Sequence, residues 1–339
     1  MVVMEQPNRL SENPRFELQK IKTETVVVEL SELGLIQATG EDTLSFLQGQ
    51  LSCDVRKIQP EQAQYGCYCS PKGRILANFL AWSDDRGQDV FLQIPRSILE
   101  SIRKRLSLFV LRAKVKLLDP GAESIRLGIA GEQARKLLSE VLPTLTLPEL
   151  PLGVAHGPGI TIVSLAPNRF ELIATPEQGA HLKTMLTQQA TLVSFMSWQW
   201  LDIQAGLPTI LAETQEQFVP QMVNMDLIGG VSFQKGCYPG QEIVARTQYL
   251  GKLKRRMALV RIETAETAVA AGDALYSESL GDQTCGMIVN AVPIAEGVFE
   301  ALAVIPIEVW NSTIQWKSLQ GPTVTLLSLP YALPEVTAK

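Results

Sequence analysis

The order of apolar patterns between residues 125 and 189 is the feature that most constrains how this chain can fold. A strand pattern at 125–130 is followed by a helix pattern at 132–141, paired strand patterns at 160–174 and a helix pattern at 177–189. This strand–helix–strand–strand–helix order predicts a ferredoxin-like lobe. Prolines between residues 142 and 152 predict an extended connector inside it.

The flanking segments predict further sheets. Apolar runs at 25–30 and 35–38 favour a hairpin around Gly34, and a helix pattern covers 97–109. Turns rich in Pro, Gly and Asp separate three runs that predict an antiparallel meander: 63–70, 74–83 and 89–94. From Arg255 onward, short apolar runs alternate with turns, which is typical of a small β-barrel. The predicted class is α+β.

Composition excludes several classes of protein. The chain has 339 residues, which predicts two to three domains, and its net charge of −5 gives no overall electrostatic reason to bind nucleic acid. No apolar run approaches the roughly 18 residues of a membrane span, and charged residues interrupt the first twenty positions. We therefore expect a cytoplasmic protein without a membrane partner.

Cysteine and histidine usage argues against metal and disulfide frameworks. Five cysteines at uneven spacing favour free thiols in a reducing compartment, and two histidines without ligand-like spacing make a zinc hydrolase improbable. Cys67 and Cys69 lie on one face of a predicted strand, so a four-thiolate cluster with Cys53 and Cys237 is one alternative. Cys-x-Cys alone is a weak signal, and we predict no metal site.

The most distinctive segment is Lys235-Gly-Cys-Tyr-Pro-Gly-Gln-Glu242. Turn-forming residues flank the Cys237 thiol, and Lys235 is close enough in sequence to lower its pKa. One interpretation is a functional thiol facing a cleft. The alternative is a small buried apolar residue in a tight loop.

This segment, continued through 243–246 and the basic residues up to Arg256, resembles the signature of the YgfZ family, folate-binding relatives of the glycine-cleavage T-protein. Other motifs agree in order: Leu47-Gln-Gly-Gln50, Ser70-Pro-Lys-Gly-Arg74, Phe109-Val-Leu-Arg112, Ala205-Gly-x-Pro208 and Pro220-Gln-x-x-Asn224. The similarity extends from about residue 30 to the C-terminal barrel.

The resemblance implies a T-protein-like cloverleaf of three domains with ferredoxin-like lobes, a C-terminal β-barrel and a central reduced folate such as tetrahydrofolate. It further implies an accessory role in iron-sulfur cluster assembly or repair and, through an iron-sulfur enzyme, in tRNA modification. Cys237 would be the functional thiol. The residues expected to bind folate are Gln204, Asn224, Lys235, Gly236, Tyr238, Gly240, Gln241, Glu242, Arg246, Lys254, Arg255 and Arg256.

Departures from the T-protein pattern leave two alternatives to weigh. Ala77 and Asn78 replace the T-protein carboxylates, which makes ordinary aminomethyl transfer unlikely because Asn78 cannot stabilise a developing positive charge. Gln204 replaces a pterin-gripping glutamate and retains only an amide. The alternatives are a true aminomethyltransferase and an RNA-binding module that uses the basic residues at 103–116 and 252–256.

These patterns together divide the chain. We expect a flexible arm at 1–24, a first folate-binding lobe formed by 25–120 with 196–254, a ferredoxin-like second lobe at 121–195, and the barrel at 255–332. The resemblance implies that the first lobe and the Cys237 loop face the ligand.

Overall fold

The structure, a computed structural model, describes residues 14–249, 251, 253–265 and 268–334. Its helices are α1 (Pro14–Thr23), α2 (Thr43–Gln48), α3 (Arg96–Ser107), α4 (Ala134–Val141), α5 (Pro176–Leu186), α6 (Phe195–Gln204) and α7 (Gln241–Tyr249). Its strands are β1 (Val26–Glu29), β2 (Leu33–Thr39), β3 (Gln64–Cys69), β4 (Ile75–Ser83), β5 (Val90–Pro95), β6 (Lys116–Leu118), β7 (Ile125–Ala130), β8 (Val154–Gly157), β9 (Ile160–Ala166), β10 (Arg169–Ala174), β11 (Thr191–Val193), β12 (Arg255–Glu263), β13 (Ala274–Tyr276), β14 (Thr284–Ala295), β15 (Val298–Pro306), β16 (Gln315–Trp316) and β17 (Val324–Leu327).

The first sheet has the strand order β11-β1-β7-β10-β9-β8, with β1 and β11 parallel and the other pairs antiparallel. Helices α4 and α5 cover one face, where Leu127, Phe170 and Leu182 form a buried core. The predicted order of strand, helix, paired strands and helix is thus confirmed as β7, α4, β9, β10 and α5.

The second sheet has the order β3-β4-β5-β2-β6, and α3 packs on it through residues such as Ile98 and Ile102. The predicted meander is confirmed as β3, β4 and β5. The predicted hairpin around Gly34 is wrong, because β1 pairs with β7 and β11 whereas β2 pairs with β5 and β6. Val26, Val27 and Val28 are all fully buried. A strand buried on both faces needs neighbours on both edges, which a two-stranded hairpin does not supply.

The third sheet is antiparallel throughout, with the order β16-β13-β14-β15-β12-β17. It curls around Trp316, which is fully buried, and a bridge between Gln315 and Thr323 links the segments at its two ends. The result is the expected C-terminal barrel in the form of a curled half-barrel.

Helix α1 lies within the stretch that the sequence predicts to be an arm. Leu18 and Ile21 are buried, and Glu17 accepts hydrogen bonds from Ser194 and Ser197 at the start of α6. The expectation of a loose arm therefore does not describe 14–23, and residues 1–13 lie outside the described residues.

A shared core joins the three sheets. It combines Val28 of β1, Trp198 of α6, Met257 of β12 and Val304 of β15. Strand β1 belongs to the first sheet although it opens the range 25–120, and the division into lobes remains a proposal. Among the described residues we find no helix with the length and apolar character that a membrane crossing needs.

Candidate functional site

A cleft opens where the first two sheets meet helix α6. Its polar lining comes from Tyr65 on β3, Asn78 on β4, Gln93 on β5, Glu171 on β10 and Asp202 on α6. These five residues come from five separate elements of the chain yet share one cavity. The helix can approach the sheet closely because Gly128 faces the Trp198 ring, where a Cβ atom would collide with it. The sheet pairing, rather than any local motif, thus assembles the polar cleft.

Glu171 is a buried carboxyl group of the cleft. It is 3% exposed, and its Oε2 accepts a hydrogen bond from Gln93 Nε2 at 2.7 Å. Burial raises the pKa of Glu171 to about 7, the Gln93 hydrogen bond partly offsets this, and the nearby Asp202 charge adds to it. Near neutral pH, Glu171 can therefore accept or donate a proton.

Asp202 is held in place by a cation. Arg169 Nη2 donates to its Oδ1 at 2.7 Å, and the Arg169 guanidinium stacks 4.1 Å above the Trp198 ring. Burial raises the pKa of Asp202, although the Arg169 charge opposes the shift. Burial likewise raises the pKa of Tyr65, so its hydroxyl stays protonated.

Unused polar capacity remains around Glu171. Gln93 Oε1 is buried and lacks a hydrogen-bond partner among the described residues. Buried polar atoms are nearly always paired, with protein, water or ligand. An unpaired amide oxygen beside a half-ionised carboxyl group can therefore accept hydrogen bonds from the N–H groups of a polar ligand.

Asn78 holds a neighbouring segment of backbone in place. Its Nδ2 donates to the Pro208 carbonyl at 2.7 Å, and its Oδ1 accepts from the Ile210 amide at 2.9 Å. Both ends of the amide therefore hold the 208–210 segment that borders the cleft. An aspartate could not donate to Pro208 in its ionised form.

The Cys237 loop lies against the second sheet. Lys235 is 6% exposed, and its Nζ donates to the backbone carbonyls of Gln48, Leu51 and Cys53 at 2.6–2.8 Å. Burial lowers the pKa of Lys235 to about 8. Because its ammonium group donates to these carbonyls, Lys235 holds the loop against residues 48–53.

The rest of the loop is arranged around an exposed thiol. Tyr238 is buried beneath the Lys235 ammonium, whereas Gly236 and Cys237 are exposed. Gly240 has φ +79° and lies against the Ser70 carbonyl and Gly73, where a Cβ atom would collide. The loop is thus closely packed on both sides of an accessible sulfur.

Helix α7 begins directly after this turn. Gln241 Nε2 donates to the Lys235 carbonyl at 3.3 Å, while Glu242 and Arg246 are exposed on the helix. Neither of the two exposed side chains lines the central cleft.

The other four thiols are buried. Cys67, Cys69 and Cys285 are small buried residues, and burial raises the pKa of each. Burial also raises the pKa of Cys53 to about 12. Within the described ranges no three His, Cys, Asp or Glu side chains group as metal ligands.

The remaining predicted folate residues contact the barrel. Gln204 Nε2 donates to Glu300 Oε2 at 2.7 Å, and Asn224, at φ +59°, donates through Nδ2 to the Met257 carbonyl at 2.9 Å. Arg256 is buried and binds Asp226 through two hydrogen bonds of 2.6 and 2.9 Å. These three side chains join the barrel to the rest of the chain.

The neighbouring cations differ from Arg256. Lys254 and Arg255 are exposed and form no ion pair with a carboxylate that the structure describes. They stay available to an anionic ligand.

The structure therefore brings together residues 235–242, in one loop and the start of α7, but leaves them out of the lining of the cleft. Sequence reasoning missed Glu171, Gln93 and Asp202. A signal was present, because Glu171 is a lone carboxylate inside the apolar run 170–174, where a charge is expected only if it is paired or functional.

Comparisons with known proteins agree with this fold. The tRNA-modifying protein YgfZ of Yersinia pestis (strain Pestoides F) is 29% identical over 310 residues, covering 91% of this chain and 93% of that protein. Its counterpart from Yersinia enterocolitica serotype O:8 is 29% identical over 333 residues, covering 96% and 99%.

A solved structure is also similar. The glycine cleavage system aminomethyltransferase T from Bartonella henselae matches with a TM-score of 0.77 at 16% identity, covering 94% of this chain and 89% of that chain. At this identity the match concerns the fold alone, and it confirms the expected T-protein-like α+β architecture.

A family model agrees with these matches. The model described as the GCVT N-terminal domain matches residues 4–229, which is more than half of the chain. With the signature at Lys235–Glu242 and the YgfZ similarity over nine tenths of its length, the chain belongs to the GCVT family and is a YgfZ-type member of it.

Proposed function

We propose that this chain is a cytoplasmic accessory protein that binds a reduced folate in the central cleft and does not transfer an aminomethyl group. The observation that carries the proposal is the buried pair of Glu171 and Gln93, which retains an unpaired acceptor atom in the cleft. The family and its T-protein-like fold support the folate class of ligand.

The chemistry of a reduced pterin suits these residues. Its 2-amino group and ring N–H are adjacent donors, and a carboxylate is the usual partner for two parallel N–H groups. Glu171 would accept from this edge, and Gln93 would accept through Oε1. Tyr65 and Leu33 border the same cleft and offer apolar surface to the ring.

Binding without transfer follows from the position of Asn78. Transfer requires a negative charge preorganised beside the developing cation. Asn78 is neutral, and both its polar atoms hold the 208–210 segment. Of the two cleft carboxyl groups, Asp202 is engaged by Arg169, while Glu171 is half protonated near neutral pH.

The exposed cations near the loop suit the polyglutamate tail. Lys254 and Arg255 would pair with tail carboxylates, while Arg256 is committed to Asp226. Replacing Lys254 and Arg255 by Gln is expected to weaken a polyglutamylated folate more than the monoglutamate. Equal losses for both ligands would assign these cations elsewhere.

The cleft is tested by calorimetric titration with tetrahydrofolate. Glu171→Gln preserves shape but removes one acceptor, so we expect affinity to fall about tenfold, equivalent to one hydrogen bond to a charged group. Glu149→Gln, at an exposed site in the 142–152 connector, is the control and should leave the affinity unchanged. If Glu171→Gln binds as tightly as the parent, the pterin lies elsewhere.

The accessory role concerns iron-sulfur enzymes and, through them, tRNA modification. The relatives carry the name tRNA-modifying protein, and the exposed thiol of Cys237 supplies the group for such a role. Cells that lack the protein should recover iron-sulfur enzyme activity with the parent chain but not with Cys237→Ala. Direct tRNA binding that weakens steeply with salt would favour the RNA-binding alternative.

A further inference from the structure

The turn after helix α3 presents three large apolar side chains to solvent. Leu108 is 73% exposed, Phe109 46% and Leu111 87%. The structure describes ten exposed large apolar side chains, and three of them lie within the four residues 108–111. Clustered exposed apolar surface marks interaction sites more often than scattered single residues do.

The turn is rigid. The amides of Leu108, Phe109 and Val110 donate to the carbonyls of Arg105, Leu106 and Ser107, and Val110 packs partly buried against the core of the second sheet. Leu111 has φ +44°, a left-handed conformation that is unfavourable for a leucine. The fold thus holds the Leu111 side chain outward without packing it against the chain.

A groove lies directly beside this turn. Its apolar lining comes from Leu76, Ile102 and Leu108, and its polar lining comes from Ser101, Lys104, Arg105 and Gln215. Gln215 Nε2 donates to the Leu76 carbonyl at 2.7 Å, which fixes one wall. An apolar turn next to a groove with both apolar and basic lining gives the surface a shape and a charge that a complementary protein can fill.

Cations predominate around the surface, although Glu41 and Glu100 lie close to it. Residues 103–116 contain six cations and no carboxylate, although the net charge of the chain is −5. Lys104 and Lys114 have acidic partners, but Arg105 and Arg112 form no ion pair with any carboxylate within the described residues. A partner bearing carboxylates around an apolar centre would complement this surface.

We propose that the surface formed by Leu108, Phe109, Leu111, Arg105 and Arg112 docks an acidic protein segment that inserts apolar side chains into the adjacent groove. Nucleic acid suits it less, because leucines offer no donors to phosphate and Phe109 is only half exposed for stacking. A flat bilayer would leave the groove unfilled.

The proposal is tested with two amphipathic peptides of the same apolar pattern, one built with Glu and one with Lys. The full-length chain should bind the Glu peptide and not the Lys peptide. Leu111→Ser and Arg112→Glu should each weaken binding about tenfold. The matched controls Leu150→Ser and Arg86→Glu, at exposed sites elsewhere, should leave it unchanged.

Tighter binding to tRNA or to phosphatidylserine vesicles than to the Glu peptide would overturn the proposal. Equal losses in the paired variants, or no binding of the Glu peptide, would do the same. A photo-crosslinker at position 111, but not at position 150, should label an acidic segment of one protein in cells. Labelling of RNA or lipid, or none, counts against it.

Discussion

The central cleft and the Cys237 loop carry their polar groups in opposite ways. In the loop, Lys235 is buried and its ammonium group donates to three backbone carbonyls, while the Cys237 thiol is exposed. In the cleft, Glu171 and Gln93 are buried with polar capacity left unused. The contrast teaches that the side chains of the Lys235–Glu242 motif mainly hold the loop around one exposed thiol, whereas the unpaired buried polar atom lies in the cleft, among residues that form no motif.

The largest loss of stability is expected on replacing Arg256, a basic residue that joins the barrel to the rest of the chain. Arg256→Gln leaves Asp226 buried without its cation, so the free energy of unfolding should fall by about 3–5 kcal/mol. Arg255→Gln, one position away and exposed, should change it by less than about 0.5 kcal/mol. Urea unfolding of both variants makes the measurement. If the unfolding free energy changes equally little in both variants, Arg256 belongs with the ligand-binding residues.

A smaller loss is expected for Lys235. Lys235→Met conserves the apolar stem but leaves three carbonyls without their shared donor. The free energy of unfolding should therefore fall by about 3 kcal/mol. Lys72→Met, on an exposed turn nearby, is the control. A stable Lys235→Met protein whose Cys237 reacts much more slowly would instead give Lys235 a direct role in activating the thiol.

The pH dependence of stability should report Glu171. Its pKa is about 7 in the folded protein, above the ordinary value of 4.5, so the folded state binds the extra proton. The contribution of Glu171 to the free energy of unfolding is then fully present below about pH 4.5. It declines as the pH rises to about 7, by about 3 kcal/mol at most. Comparing urea unfolding with Glu171→Gln at pH 5 and pH 8 isolates this contribution. Parallel pH profiles for the two proteins would show that Glu171 is ionised throughout.

The smallest effect on stability is expected at Cys237. Its exposed thiol should be alkylated by iodoacetamide before Cys53, Cys67, Cys69 and Cys285, all of which are buried. Cys237→Ala should change the unfolding free energy by about 0.5 kcal/mol or less. Peptide mapping after brief treatment tests the order of labelling. Faster labelling at Cys67 or Cys69, or a clearly destabilised variant, would support a packing role for Cys237.

Local patterns were reliable where elements are long and contacts are short in sequence. The meander β3–β5 and the helices α3, α4 and α5 follow directly from the spacing of apolar residues. The hairpin at Gly34 failed because sheet membership is decided by distant strands, here β7 and β11. The roles of Gln204 and Arg256 were equally hidden, since their partners Glu300 and Asp226 are 96 and 30 residues away.

The sequence by itself determined the class of fold and the family, because apolar spacing and short motifs are local properties of the chain. The exposure of the Cys237 thiol, which the sequence left open, was decided by the packing of the loop. Only the tertiary structure decided where the cleft lies and which side chains remain free to bind. Glu171, Gln93 and Asp202 come from separate elements, and pairing of the sheets and packing of α6 bring them together. Desolvation there raises the pKa of Glu171 to about 7, a consequence of burial that neighbouring residues in the sequence do not reveal.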